Sequence, residues 1–174
     1  MTWKADPAKA ISASELYELY SSHKLVFENL VAFLDVCKSL ASNCRVIHIK
    51  EVGGQCVASV IVSTVTDREG ATLELVPVPD YFRLREEFEG PFREAMLPVL
   101  ADLFDVHGVR RVTTLITRHR NKTRKAITML GFRAEGEMQD AVQLRGRDPE
   151  SLLIYGMTIK GYEWLKKEVG DVAA

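Results

Sequence analysis

The densest one-sided charge in this chain of 174 residues lies in residues 106–134, which contain no Asp or Glu and eight basic residues. These are Arg110, Arg111, Arg118, Arg120, Lys122, Arg124, Lys125 and Arg133. The asymmetry is typical of a surface that meets phosphate groups, but a solvated face that balances acidic segments elsewhere explains it equally well. A nucleic-acid patch is a third explanation. It is disfavoured because the net charge is -1 and no base-stacking aromatic residues interleave.

Two other side chains are candidates for proton transfer. Glu74 stands between Leu73 and Leu75 in a predicted strand. Because a buried Glu is rare unless it is paired, Glu74 is either a carboxylate on a solvated face, a partner of an Arg, or a general base. Tyr155 lies in the last predicted strand and is either a packed side chain with a satisfied hydroxyl or a proton donor.

Metal and disulfide chemistry have no support in the sequence. The four histidines have no i, i+4 partner and no carboxylate at metal-ligand spacing, so no metal site is predicted. Cys37, Cys44 and Cys56 form no C-x-x-C pair, and three thiols cannot all pair internally. We expect reduced thiols in a cytoplasmic protein, with no secretory signal and no membrane span.

The elements that must position these side chains follow from periodicity and turn signals. Apolar residues at helical spacing predict helices, whereas alternation and β-branched runs bounded by Gly, Pro or Asp predict strands. The predicted helices are residues 14–23, 25–41, 92–106, 121–130 and 162–169. The predicted strands are residues 45–52, 55–66, 71–78, 111–117, 132–144 and 152–159.

The order of these elements predicts one mixed α/β domain over residues 1–174. The first strands form antiparallel hairpins, and Gly53-Gly54 is a hairpin-turn signal. The third and fourth strands are joined through a helix, so they should be parallel neighbours. The third strand ends near Pro77 and Pro79, a charged loop covers residues 80–90, and Pro91 is expected in the first turn of the next helix.

The C-terminal third resembles the GNAT superfamily of acetyl-CoA-dependent N-acetyltransferases. The resemblance rests on Asn121, Gly131-Phe132, Glu135-Gly136, Tyr155-Gly156-Met157 and Glu163-Trp164, in that order. It implies a GNAT-like mixed sheet with antiparallel N-terminal strands, a β-α-β-α-β centre and a C-terminal hairpin, with helices on both faces. No clear strand precedes the first helix, so the first strand of the family is short or absent in this chain.

The resemblance also implies roles for particular residues. Glu74 would deprotonate the acceptor amine, and Tyr155 would donate a proton to the leaving thiolate. Acetyl-CoA, the acyl donor, would bind where the third and fourth strands diverge. The implied cofactor-binding residues are Val76, Val78, Gly90, Arg120, Asn121, Lys122 and Arg124.

Three features depart from the family pattern. The pyrophosphate loop of the family would fall on residues 85–92, where only Gly90 matches and Glu86, Glu87 and Glu89 would repel a diphosphate. Asn121 lies ten residues before Gly131, where the family usually has eleven, so Arg120 occupies that place. The tyrosine that many members use as general acid would fall near Ile127, in a helix without Tyr.

The resemblance therefore implies an N-acetyltransferase that acts on a primary amine of a small molecule, a peptide N-terminus or a modified base. The departures leave a non-catalytic or weakly catalytic GNAT-like binding module as the alternative. A nucleic-acid-associated protein that uses residues 106–134 is the second alternative. Nothing in the sequence fixes the oligomeric state, and a homodimer is one option.

Overall fold

The computed structural model describes residues 2–51, 53–66, 68–78 and 86–172. The described helices are α1 (Ala13–Ser22), α2 (Leu30–Asn43), α3 (Glu86–Ala101), α4 (Asn121–Met129) and α5 (Ile159–Val172). The described strands are β1 (Trp3–Ala5), β2 (Cys44–Glu51), β3 (Cys56–Thr66), β4 (Gly70–Pro77), β5 (Arg111–Thr117), β6 (Arg133–Val142) and β7 (Glu150–Thr158). A short π-helical stretch, Asp102–Val106, extends α3.

The strands form one seven-stranded sheet in the order β1-β2-β3-β4-β5-β7-β6. All neighbouring strands are antiparallel except β4 and β5, which are parallel. This arrangement confirms the predicted antiparallel hairpins, the parallel β4–β5 pair and the C-terminal hairpin. The strand that the sequence left short or absent is β1, which has three residues and pairs with β2.

Two apolar cores lie on opposite faces of the sheet. One core packs α3, α4 and α5 against alternate strand residues such as Leu73, Leu75 and Val112. The other packs α1 and α2 against the remaining positions, which include Val46, Ile61 and Val76. Because successive strand residues point to opposite faces, Glu74 shares the α1–α2 face with Val76.

Local capping sets the starts of α1 and α2. Ser12 and Glu15 form a reciprocal capping box at α1, in which the Glu15 N–H donates to Ser12 Oγ over 3.2 Å. Asn29 Oδ1 accepts from the Ala32 N–H over 3.1 Å, so α2 begins after Asn29 rather than at residue 25. The sequence prediction merged this connection with the helix because Phe27 continues the apolar pattern.

Helix α3 also differs from its prediction. It includes Glu86 as its first residue, whereas the sequence predicted a start near Phe92. Pro91 therefore lies inside the helix and not in its first turn. The part of the predicted charged loop that covers residues 80–85 lies outside the described residues. No helix within the described ranges has the length and apolar composition that crossing a membrane requires.

Candidate active site

The parallel strands β4 and β5 pair only at their beginnings. Gly70, Ala71 and Thr72 pair with Arg111, Val112 and Thr113, and no further pairs join the two strands, although both strands continue for several residues. The sheet therefore opens into a gap beyond Thr72, at the point where the sequence resemblance expected divergence. Backbone groups at such a gap are free to bind something other than a neighbouring strand.

The backbone of Leu75 borders this gap. The Val78 N–H donates to Val57 O over 2.9 Å, which directs Val78 toward β3. Since consecutive residues of a strand direct their backbone groups to opposite sides, Val76 also faces β3 and Leu75 faces the gap. The Leu75 carbonyl accepts a hydrogen bond from Arg120 Nη2 over 2.9 Å. Leu75 therefore turns its backbone toward the gap, whereas the expected Val76 and Val78 turn theirs toward β3.

Glu74 lies in a three-residue polar group on the α1–α2 face of this gap. Its Oε2 accepts a hydrogen bond from the Tyr20 hydroxyl over 2.7 Å, and its Oε1 lies 3.6 Å from Arg120 Nη1. The Arg120 side chain is only 12% exposed and that of Glu74 is 29% exposed. Glu74 is therefore a paired carboxylate held in a fixed orientation from two sides.

Opposing influences act on the proton affinity of this group. Burial raises the pKa of Glu74 above its ordinary value, although the positive charge of Arg120 and the hydrogen bond from Tyr20 partly offset that rise. Burial, together with the nearby Glu74 carboxylate, also raises the pKa of Tyr20, which keeps its hydroxyl protonated. Burial lowers the pKa of Arg120, and the charge of Glu74 opposes that change. A carboxylate of raised pKa is suited to accepting a proton near neutral pH.

A largely apolar cavity of about 200 Å³ opens onto Glu74. Among the described residues that line it, the polar ones are Tyr20, Glu74, Thr117 and Arg120. The apolar lining comes from α2, the connection between α1 and α2, β5, β6, β7 and the segment after β6. These residues are Leu25, Phe27, Phe33, Val36, Leu40, Leu115, Val142, Leu144 and Leu152.

The connection between α1 and α2 forms one wall of this cavity, and backbone hydrogen bonds hold it in place. The Glu28 N–H donates to Gln143 O over 2.8 Å, and the Arg145 N–H donates to Val26 O over 2.8 Å. Phe27 pairs with Leu144 in an isolated bridge between these bonds. The wall is thus fixed to the segment that follows β6. These contacts explain why residues 25–28 are not helical and why α2 begins only after Asn29.

Arg120 and Asn121 occupy different positions from those expected. Helix α4 begins at Asn121, and Arg120 takes the N-cap position without a side-chain capping bond. The Arg120 side chain turns back to Leu75 and Glu74, so its guanidinium is engaged inside the protein and does not reach out to a phosphate. The Asn121 Oδ1 accepts a hydrogen bond from Arg124 Nη2.

The other expected cofactor residues are more dispersed. Lys122 is exposed in the first turn of α4, and the Nε atom of the partly buried Arg124 has no hydrogen-bond partner among the described residues. Gly90 lies in the second turn of α3, where an added Cβ would meet nothing within 4 Å, so no close approach requires glycine there. Lys122 and Arg124 remain placed for an anionic ligand at the start of α4.

Tyr155 is not brought together with Glu74. It pairs with Thr114 on β5 and Ala134 on β6, and its side chain is 8% exposed within the core of α3, α4 and α5. This core lies on the face of the sheet opposite Glu74. The structure thus separates the two residues to which the sequence analysis assigned proton transfer.

Sequence reasoning assigned no polar role to Tyr20 or Thr117. Tyr20 continues the apolar face of α1, and its partner Glu74 is 54 residues further along the chain. Thr117 ends β5, and its buried Oγ1 has no hydrogen-bond partner among the described residues. Neither residue carries a local signal, because only the packing of α1 against the sheet brings them to one cavity.

Comparison with known proteins now bears on this geometry. No family model matches the chain, and no curated protein matches it. A GCN5-related N-acetyltransferase from Brucella melitensis is similar in structure, with a TM-score of 0.68 at 14% identity over 99% of this chain and 83% of that one.

Two further similar structures belong to enzymes that are named for their acceptors. Spermidine N-acetyltransferase from Vibrio cholerae, in complex with CoA and spermine, has a TM-score of 0.64 at 12% identity, over 92% of this chain and 98% of that one. Ribosomal-protein-S5-alanine acetyltransferase from Vibrio fischeri has a TM-score of 0.61 at 14% identity, over 91% of this chain and 93% of that one. The chain therefore has the fold of the GCN5-related N-acetyltransferases, as the sequence resemblance implied.

Proposed function

We propose that this protein is a CoA-dependent N-acetyltransferase whose acceptor amine enters the cavity at Glu74. One observation carries the proposal: the gap between β4 and β5 opens next to an apolar cavity that contains an oriented carboxylate. The similarity to acetyltransferase structures, one of them with CoA bound, supports the same reading at the level of the fold.

The residues at the gap fit a CoA thioester in two respects. The carbonyl of Leu75 already accepts a hydrogen bond from Arg120, but the Leu75 N–H points to the same side and can donate to an amide-containing ligand in the gap. The N-terminus of α4, with the side chains of Lys122 and Arg124, provides positive charge for a phosphate. When bound, acetyl-CoA would supply an acetyl group activated as a thioester. We therefore propose Leu75, Lys122 and Arg124 as residues that bind CoA.

The residues of the chain contribute proton transfer and orientation. Glu74 accepts the proton that the acceptor nitrogen loses as the nitrogen bonds to the acetyl carbon and the carbon–sulfur bond of the thioester breaks. The CoA thiolate that leaves would take a proton from solvent, and Glu74 would return its own proton to solvent. Tyr20 and Arg120 hold the two carboxylate oxygens, so the base does not have to be ordered during the reaction. The apolar wall excludes water, which favours the neutral, nucleophilic form of the amine.

The test combines binding with turnover. Calorimetric titration of the full chain with acetyl-CoA should show binding, and the release of free thiol in the presence of primary amines should show acetyl transfer. Replacing Glu74 by Gln should lower kcat by about 10²-fold, the usual contribution of a general base, with little change in acetyl-CoA affinity.

Glu163→Gln is the matched control, because this carboxylate is exposed on α5 and pairs with Lys166 on the same helix. It should leave kcat unchanged. Cofactor binding without turnover would instead identify a non-catalytic binding module, and the absence of both would refute the proposed function. Salt-dependent binding of a short DNA duplex without acetyl-CoA binding would favour the nucleic-acid alternative.

A further inference from the structure

The polar atoms of the cavity at Glu74 restrict the acceptor further. We propose that the acceptor is an α-amine that carries one apolar side chain and is followed by an amide carbonyl, as in an amino-acid amide or at a peptide N-terminus. This inference rests on the proposed function. It follows from the charge of the cavity, from its size and from one buried hydroxyl group.

The charge of the cavity disfavours polyamines. Among the described residues that line it, Glu74 is the only carboxylate, and Arg120 already pairs with that carboxylate. The two charges leave the described lining close to neutral. A chain with several ammonium groups requires several carboxylates to replace its hydration, because an unpaired charge in apolar surroundings is strongly disfavoured. A single amine is the species that this lining can accept.

The same neutrality selects among single amines. An α-amino group has a solution pKa of about 7.7–8.0, so roughly a third of it is neutral at pH 7.5. A simple alkylamine resembles the lysine side chain with its pKa of about 10.4, and only about 0.1% of it is neutral at that pH. A cavity that offers little stabilisation to an ammonium group therefore favours the α-amine.

The volume and the apolar lining define the substituent. The cavity of about 200 Å³ is smaller than the roughly 300–1,000 Å³ typical of sites for drug-sized ligands. It can hold one side chain of moderate size. Phe27, Phe33, Leu115 and Leu144 are among the residues that would contact this side chain, and none of them offers a hydrogen bond. The substituent on the α-carbon is therefore apolar.

Thr117 indicates the polar group next to the amine. Its side chain lines the cavity, the residue is only 7% exposed, and its Oγ1 has no hydrogen-bond partner within the described part of the chain. A buried hydroxyl without a partner is unfavourable, and most buried polar atoms in proteins are satisfied. The carbonyl that follows an α-amine is an acceptor two bonds beyond the nitrogen-bearing carbon. The Thr117 hydroxyl can donate to it.

The experiment measures thiol release from acetyl-CoA by the full chain at pH 7.5. Phenylalanine amide is compared with phenethylamine, which has a similar side chain but lacks the carboxamide, and with spermidine. We expect kcat/KM for phenylalanine amide to exceed the other two by about tenfold or more, the factor that 1.4 kcal/mol represents. A peptide that begins with Phe, measured beside the amide, distinguishes the two sources of this chemistry.

Thr117→Val tests whether the preference for the amide comes from the Thr117 hydroxyl or from the lower pKa of the α-amine. It should lower kcat/KM for phenylalanine amide by about tenfold and change that for phenethylamine by less than about twofold, because only the amide uses the hydroxyl. Thr117→Ser should retain the preference. Thr114→Val makes the same substitution at a buried β5 position on the opposite face, and it should leave the preference unchanged.

Two results would overturn the inference while leaving the proposed function intact. One is equal or faster acetylation of spermidine or phenethylamine, and the other is an equal loss for both monoamines in Thr117→Val. If no amine is acetylated and acetyl-CoA does not bind, the proposed function fails. Saturation-transfer NMR then decides the inference separately: stronger binding of phenylalanine amide than of phenethylamine, lost in Thr117→Val, supports it, and equal binding overturns it.

Discussion

Replacing Arg120 by Met removes the contact that joins the two sides of the gap. Met retains the unbranched apolar stem of Arg but lacks the guanidinium. The change leaves the Leu75 carbonyl without the hydrogen bond of 2.9 Å from Nη2. It also leaves the Glu74 carboxylate without the cation that lies 3.6 Å away. The substitution therefore lowers stability in two ways, through the lost hydrogen bond and through the lost ion pair.

The size of the loss follows from these contacts. A hydrogen bond from a charged donor contributes about 1.5–3 kcal/mol. The attraction across 3.6 Å is about 5 kcal/mol at an effective dielectric constant near 20, and desolvation of both ions offsets much of it. Since 29% of the Glu74 side chain is exposed, water compensates part of the missing charge. We expect the free energy of unfolding at pH 7 to fall by about 2–3 kcal/mol.

The loss should depend on pH in one direction. Burial raises the pKa of Glu74, so the folded chain binds this proton more tightly than the unfolded chain. The stability that the proton contributes is fully present below the unfolded pKa and is lost as the pH rises through the folded value. Arg120 lowers the folded pKa, so Arg120→Met raises it further. The variant should therefore lose more stability at pH 8 than at pH 5.

Urea denaturation at both pH values, in the wild type and in a Glu74→Gln background, measures these effects. The loss caused by Arg120→Met should be smaller by about 1 kcal/mol or more when Glu74 is already neutral. Arg118→Met is the control, because its surface pair with Glu137 leaves 66% of the Arg118 side chain exposed. It should stay within about 0.5 kcal/mol. Equal losses at both pH values and in both backgrounds would refute a Glu74–Arg120 coupling.

Three further substitutions test stability alone. Gly131→Ala should lower the free energy of unfolding by about 1–3 kcal/mol in urea titrations, because its φ of +95° disfavours a side chain and its Cβ would lie 3.0 Å from the Trp164 ring. Gly170→Ala, in an open position of α5, should instead raise it by about 0.5–1 kcal/mol, and a loss there would count against this reasoning. Thr114→Val should raise stability by about 1 kcal/mol, since the buried Thr114 Oγ1 has no partner among the described residues; a decrease in the urea midpoint would contradict that.

The elements around the gap were predictable because their signals are local. The run Arg111–Thr117 is rich in β-branched residues, and the structure confirms it as β5 residue for residue. Gly131 ends the α4 region with a positive φ, as a glycine after a helix typically does. A helical connection between two strands favours a parallel pair, which the β4–β5 register confirms.

The pairing within the site was not predictable from spacing. Tyr20, Glu74 and Arg120 come from α1, β4 and the start of α4, and no local pattern relates residues so far apart. An Arg that binds a phosphate is exposed, whereas one that pairs with an internal carboxylate is buried. Whether an Arg at the start of a helix is buried depends on how other elements pack against it. The basic stretch therefore suggested a phosphate role for Arg120, whereas the structure engages its guanidinium with Glu74 and Leu75.

The spacing irregularity in the sequence has a structural counterpart. The family resemblance puts an Asn eleven residues before the glycine that corresponds to Gly131, and Arg120 holds that place in this chain. An Asn side chain is short, whereas the Arg side chain reaches from the end of β5 to the backbone of β4. Beyond Thr72 the two strands make no ladder pairs with each other, and the guanidinium provides a connection there. The residue that departs from the pattern thus both bridges the gap and sets the charge beside Glu74.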